Sequence, residues 1–200
     1  MTAAEFARQV ASVNRLEMHL RAAAIIAEEL APFDLEPVVV GGTAVEFYTR
    51  GAYLTADVNI VVADFQQVRR VLTNLSFDLV GAASFVHPDL DLVVDLPREP
   101  LEGDPGRLQG VTVDGRTVFV IGLEVIIADR LRAAAHWHDL ASEEWAGQLM
   151  AAWGHEVDWT YLAALPDSRD PDYAAAGRSA KALAARVVAG ASPPPSHDDP

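Results

Sequence analysis

Asp57 and Asn59 stand two residues apart in the segment VVVGGTAVEFYTRGAYLTADVNIVV, residues 38–62. Residues i and i+2 of a strand point the same way, so both side chains are expected to project from one face. Two adjacent oxygen ligands at a strand edge can hold Mg²⁺ or Mn²⁺, which favour carboxylate, carbonyl and water oxygens. A metal that bridges nucleotide phosphates also needs a seat for those phosphates. Gly41 and Gly42, between an apolar strand and a helix start, supply one, because bare backbone N–H groups and the helix dipole attract anions. Thr43 adds a hydroxyl donor. A third carboxylate from a neighbouring strand would complete the oxygen cage. Asp91 and Asp95 both lie in the apolar segment 90–96; Asp95 is the choice, with Asp91 the substitute.

Each of these residues also has a bland reading. A double glycine after a strand is often only a tight turn, and Asp57 could simply cap a strand. The following Thr55-x-Asp57-x-Asn59 shifts the balance, because a carboxylate set among apolar residues costs free energy unless it is paired or metal-bound.

Other constellations carry less. His136, His138 and Asp139 suggest a metal-dependent phosphohydrolase, but helix positions 136 and 138 lie about 200° apart and cannot grip one ion; His87 and Asp158 would have to join them. His136 and Trp137 read instead as packing residues. Arg130 could pair with Asp95 or reach a phosphate, although structural ion pairing is its default role. Trp145, Leu149 and Trp153 recur at helical spacing and read as core. His155 and Glu156 lack the second histidine of a helical zinc-protease motif, and no Gly-x-Ser-x-Gly occurs. Lys181 is the sole lysine among 15 basic residues, so no Lys-terminated phosphate loop can be drawn before it.

The elements that would position the site follow from periodicity. Residues 3–31 read as one long helix that packs on a sheet, with Pro32 ending it. Strands are expected at 38–40, 58–62, 77–80, 85–86 and 90–96, with Asp64 capping an intervening helix. Residues 111–113 and 117–121 form a hairpin around Asp114-Gly115, a pair suited to a primed turn. From Leu123 the period is helical again, through two helices that close the domain, and an Ala-rich helix follows at 171–188. The expected organisation is one domain over 1–165, a C-terminal helix over 166–190, and a disordered tail over 191–200, whose four prolines and lack of large apolar groups cannot build a core. The fold class is α/β (α+β), a mixed sheet flanked by helices.

Composition bounds the function. With 200 residues, 50% of them hydrophobic, the chain can build a sizeable core. No apolar run approaches the roughly 18 to 20 residues of a membrane span and no signal segment opens the chain, so a soluble, cytoplasmic protein without a membrane partner is expected. The absence of cysteine excludes disulfides and thiolate zinc sites. A net charge of -14 opposes non-specific binding to DNA or RNA.

Taken together, Gly41-Gly42 after a strand and the Thr55-x-Asp57-x-Asn59 segment resemble the nucleotidyltransferase superfamily. The likeness is to small bacterial AbiEii-toxin-like and DUF6036-like proteins. It extends to VVDLPREPLEGD, residues 93–104, and to ADRLRAAAHWHD, residues 128–139, and so covers about residues 35–162. The resemblance implies Gly41, Gly42 and Thr43 for phosphate contact, Asp57 as a metal ligand, and Asp95 as the acid that deprotonates or positions an attacking hydroxyl. It implies Mg²⁺-dependent transfer of a nucleotidyl group from a nucleoside triphosphate to an RNA or protein hydroxyl. Asn59 departs from the pattern, standing where a second metal-binding aspartate is expected. The lost charge weakens metal binding and the stabilisation of phosphoryl-transfer charge. The alternative expectation is therefore a catalytically weakened protein acting by binding a nucleotide or a cognate protein partner, as in a toxin–antitoxin-like pair. A third is a scaffold domain without a ligand.

Overall fold

A computed structural model describes residues 1–11, 14–97, 100–165 and 170–190. Val13, the positions 98 and 99 of the 93–104 segment, the 166–169 start of the expected C-terminal segment and the tail at 191–200 lie outside the described residues. The chain divides into two compact units, Met1–Ile126 and Ile127–Pro200.

The first unit opens with two helices where the apolar periodicity predicted one: α1, Ala3–Val10, and α2, Arg15–Leu30. Local capping explains the break. Thr2 and Glu5 form a reciprocal capping box on α1, and the Asn14 side chain accepts from the Glu17 N–H at 3.1 Å to start α2. Asparagine is among the best N-caps because its oxygen satisfies an orphan amide. Both helices bury an apolar face, through Phe6 and Val10 in α1 and Ile25, Ile26 and Leu30 in α2. The apolar spacing alone therefore does not reveal the interruption.

Among the described residues, seven strands form one sheet. They are β1 (Val38–Val39), β2 (Asp57–Val61), β3 (Asp78–Val80), β4 (Ser84–Val86), β5 (Val93–Asp95), β6 (Gln109–Val113) and β7 (Arg116–Val120), in the spatial order β3-β4-β5-β2-β1-β7-β6. The sheet is mixed, as expected: β1 pairs antiparallel with β2 and parallel with β7, and β2 pairs parallel with β5. The short helix α3, Gly41–Tyr48, and the loop at 49–56 return the chain so that β2 runs against β1. The second connection carries α4, Phe65–Asn74, capped by Asp64 through the Gln67 N–H at 3.0 Å. The β6–β7 hairpin turns at Asp114 and Gly115 with φ of 50° and 79°, the backbone of a primed turn. Val39, Val58, Ile60, Val94, Val118 and Val120 are buried in the sheet together with Phe85, and α2 packs on β7 and β2.

The second unit is helical. Helix α5, Leu123–Trp137, runs into it and is followed by α6 (Leu140–Trp153), α7 (Trp159–Ala164) and α8 (Pro171–Gly190). Helices α6 and α8 approach closely at Gly147, where an added Cβ would lie 2.7 Å from Leu183 Cδ2. Of the α6 stripe read as core, Leu149 is fully buried while Trp145 and Trp153 are half-buried. Arg130 pairs with Asp129 at 2.6 Å, the structural role. Trp137 corrects an expectation: it is 79% exposed, and His136 beside it is exposed too, because α5 ends there and His138 turns away at φ 54°.

Candidate functional site

The sequence places Asp57 and Asn59 on one face of a strand, and β2 does hold them side by side. Asn59 Nδ2 donates to Asp57 Oδ2 at 2.6 Å, while Asn59 Oδ1 accepts from the Gly42 N–H at 3.1 Å. The chemistry of the neighbours fixes which end of the amide points where. Reversed, the amide would set N–H against N–H at Gly42 and oxygen against a carboxylate at Asp57. The other oxygen of Asp57, Oδ1, accepts from the Thr55 hydroxyl at 2.6 Å. The Thr43 hydroxyl is buried: it donates to the Asp57 carbonyl at 2.8 Å and accepts from the Asn59 N–H at 3.3 Å, tying α3 to β2.

Both glycines are demanded by this packing. Gly41 has φ 55°, and a Cβ there would meet Asn59 Oδ1 at 2.7 Å; one on Gly42 would meet Thr55 Oγ1 at 2.7 Å. The double glycine thus lets the backbone of α3 press on the side chains of Thr55 and Asn59. The Gly42 amide that could greet a phosphate already has a partner in Asn59.

Register separates the two candidate acids in space. Strand β5 runs parallel to β2 with Asp95 opposite Asn59, whereas Asp91 lies in the turn before β5 and is exposed, paired with Arg15 at 3.2 Å. Asp95 joins the site. Burial raises its carboxyl, the Asp57 carboxylate beside it raises it further, and Ser84 partly opposes them. Burial also pushes Asp57 up, but hydrogen bonds from Thr55, Asn59 and Asp95 outweigh it and leave that carboxyl below its usual range. The two neighbouring carboxyls are thus shifted in opposite directions, Asp95 towards its protonated form and Asp57 towards its ionised form.

These donors do not fit a divalent cation as arranged. A cation bridging positions 57 and 59 would sit where the Asn59 amide hydrogen bonds Asp57, and the one oxygen that Asn59 offers is spent on Gly42. Asp95 Oδ1, by contrast, is buried without a hydrogen-bond partner. Among the described residues no group of three His, Asp or Glu side chains is placed to hold a metal ion.

Sequence reasoning missed what lies behind the site. Glu46 of α3 and His19 of α2 are both buried, with His19 Nδ1 3.3 Å from Glu46 Oε2. A glutamate inside the apolar run of α3 was the available signal. Arg15 crosses to the Thr55 carbonyl at 3.2 Å, so the residue that orients Asp57 is held by α2. Burial lowers the His19 imidazole to about 4, helped by Arg15 and opposed by Asp57 and Asp91, while burial raises the Glu46 carboxyl. A histidine depressed from 6.5 contributes stability that is complete above pH 6.5 and is lost as pH falls towards 4, because only the unfolded chain takes up the proton. Glu46, which protonates more readily in the folded state, offsets part of that loss. The Tm of His19→Gln is therefore expected to fall less than that of the wild type between pH 6.5 and pH 4, by the equivalent of about 2 kcal/mol. Parallel Tm profiles of the two proteins would show that His19 does not titrate in this way.

No protein-family model matches the sequence, and no curated protein matches it. Solved structures do. An antigenic nucleotidyltransferase-like protein from Paracoccidioides brasiliensis superposes with a TM-score of 0.58 at 13% identity, covering 90% of each chain. The antibiotic-resistance factor ANT(2'')-Ia matches in its solution structure with a TM-score of 0.41 at 15% identity, over 82% of this chain and 88% of that one. Its crystal structure with adenylyl-2''-tobramycin matches with a TM-score of 0.40 at 15% identity, over 84% and 95%. At those two scores the resistance factor adds nothing to the fold assignment, which rests on the Paracoccidioides protein. The seven-stranded mixed sheet flanked by helices is a nucleotidyltransferase-like α/β fold.

Proposed function

We propose that this chain is a catalytically weakened nucleotidyltransferase-fold protein that acts by binding a nucleotide or a protein partner, in the manner of one half of a toxin–antitoxin-like pair. The observation that carries this reading is the Asn59 amide, which bridges the Gly42 N–H and the Asp57 carboxylate. In an active site of this kind a cation would neutralise the clustered acids and the charge that develops on a transferred phosphoryl group. Here a neutral amide satisfies one acid and burial favours the neutral form of the other, so the need for a cation is reduced. Such a site retains its shape and loses most of its catalytic power.

A second reading, full Mg²⁺- or Mn²⁺-dependent nucleotidyl transfer to an RNA or protein hydroxyl, is favoured by one feature: the buried, unpartnered Asp95 Oδ1 beside Asp57. The two readings separate in one assay. Each α-labelled nucleoside triphosphate is incubated with the protein, Mg²⁺ or Mn²⁺, and RNA or protein acceptors. The wild type is expected to transfer no more label than Asp57→Ala. Metal-dependent labelling by the wild type that Asp57→Ala abolishes would refute the weakened reading and establish the second.

A further inference from the structure

The second unit contains a pocket of about 230 Å³ whose walls come from α5, α6, α7 and α8. Its interior is apolar, with Leu131, Met150 and Leu162 among the lining residues, and Trp159 and Tyr173 also face it. Helix α8 forms the remaining wall, with Gly177 and Lys181 one turn apart and Arg178 beside Gly177.

Two features of that wall bear on what it can bind. The first is Gly177, in the interior of an alanine-rich helix. An added Cβ would meet only Leu131 Cδ1, at 3.9 Å, an ordinary contact. Alanine would fit and would stabilise the helix, so no packing contact demands glycine there. Gly147 differs, because its Cβ would collide with Leu183. The second is charge. In a chain with 29 acidic against 15 basic residues, Arg178 and Lys181 stand at the pocket with no carboxylate paired to either among the described residues; the Lys181 ammonium lies 4.7 Å from the centre of the Trp159 ring instead.

We propose that this pocket binds a small aromatic anion, one or two rings bearing a carboxylate or a phosphate. A dry cavity of about 150 Å³ suffices for benzene, so the volume accommodates a single substituted ring with room to spare. The ring packs among Leu131, Met150 and Trp159, and the acid group meets the guanidinium of Arg178 and the ammonium of Lys181 at the mouth. Arg178 gives a planar acid a two-pronged donor set. The proposal is independent of the site around Asp57, since all of its residues belong to the second unit.

Tryptophan fluorescence of the full chain tests it, with benzoate and phenyl phosphate as probes and uncharged benzamide as the control. Either anion is expected to quench saturably with a Kd of about 1 mM or tighter, and Trp159→Phe to remove the signal. The Arg178→Gln and Lys181→Gln variants each weaken binding about tenfold, the loss of one charge-assisted contact. Gly177→Leu abolishes binding. Gly177→Ala, which folds with a Tm at or above that of the wild type, weakens it, separating pocket filling from unfolding. No saturable quenching by either anion at about 10 mM would overturn the proposal. So would equal binding of benzamide, or unchanged affinity in the double Arg178→Gln, Lys181→Gln variant.

Discussion

Asn59→Asp is expected to make the stability of the protein depend on a divalent cation. The substitution keeps an acceptor for the Gly42 N–H but replaces the amide donor, now 2.6 Å from Asp57 Oδ2, with a second carboxylate oxygen. Two unit charges about 3 Å apart repel by about 5 kcal/mol at an effective dielectric near 20. Both residues are only half-buried, and a proton can be taken up, so the net loss without metal at neutral pH is about 2 kcal/mol, or about 4–8 °C in Tm. Lowering the pH restores part of it. A cation restores it directly: at about 100 times its Kd, a ligand specific for the folded state contributes about 2.7 kcal/mol. Thermal unfolding of the variant with EDTA and with Mg²⁺ or Mn²⁺ checks this. The wild type should unfold at the same temperature in both. An Asn59→Asp protein as stable as the wild type in EDTA and indifferent to metal would mean that positions 57 and 59 do not form a cation site even with the acid restored.

The second large effect is expected at Gly41. Its φ of 55° lies in the left-handed region, and an alanine Cβ would sit 2.7 Å from Asn59 Oδ1. The backbone conformation costs about 1–2 kcal/mol for a residue with a Cβ, and the overlap with a side chain already fixed at both ends costs about 1–3 more. Gly41→Ala should therefore lose about 3 kcal/mol in urea unfolding with little change in m-value. Gly42→Ala meets Thr55 Oγ1 at the same distance but carries no positive φ, and should lose less. Equal losses at the two positions, or a Gly41→Ala protein within about 0.5 kcal/mol of the wild type, would contradict the packing of α3 on β2.

Which parts of this were legible in the sequence follows from what local pattern encodes. The i, i+2 spacing of Asp57 and Asn59 and the glycine turn before α3 were readable because strand alternation and glycine chemistry are local. The Asp114-Gly115 hairpin and the Asp64 cap were readable for the same reason. The choice of Asp95 over Asp91 was made in the sequence but depends on register: only the pairing of β5 with β2 sets Asp95 opposite Asn59 and leaves Asp91 to Arg15. The hydrogen-bond role of Asn59 was not legible. Its type reads as a weak metal ligand; only the positions of Gly42 and Asp57 turn it into a bridge. The buried His19–Glu46 pair joins residues 27 apart, a distance that helical periodicity does not reach. The same periodicity masked the break at Asn14, and it ran unbroken along α5 past the boundary between the two units at Ile126. Trp137 was misjudged because large aromatic residues usually pack, and here the helix ends with it on the surface.

The most direct test of a site satisfied without a cation is a Mn²⁺ titration of the wild type followed by electron paramagnetic resonance of the free ion. The expected result is that wild type and Asp57→Ala deplete free Mn²⁺ equally, while Asn59→Asp binds one additional ion. One Mn²⁺ bound by the wild type and lost in Asp57→Ala would contradict it, and would mean that Asp57 and Asp95 hold a metal with the Asn59 bridge broken.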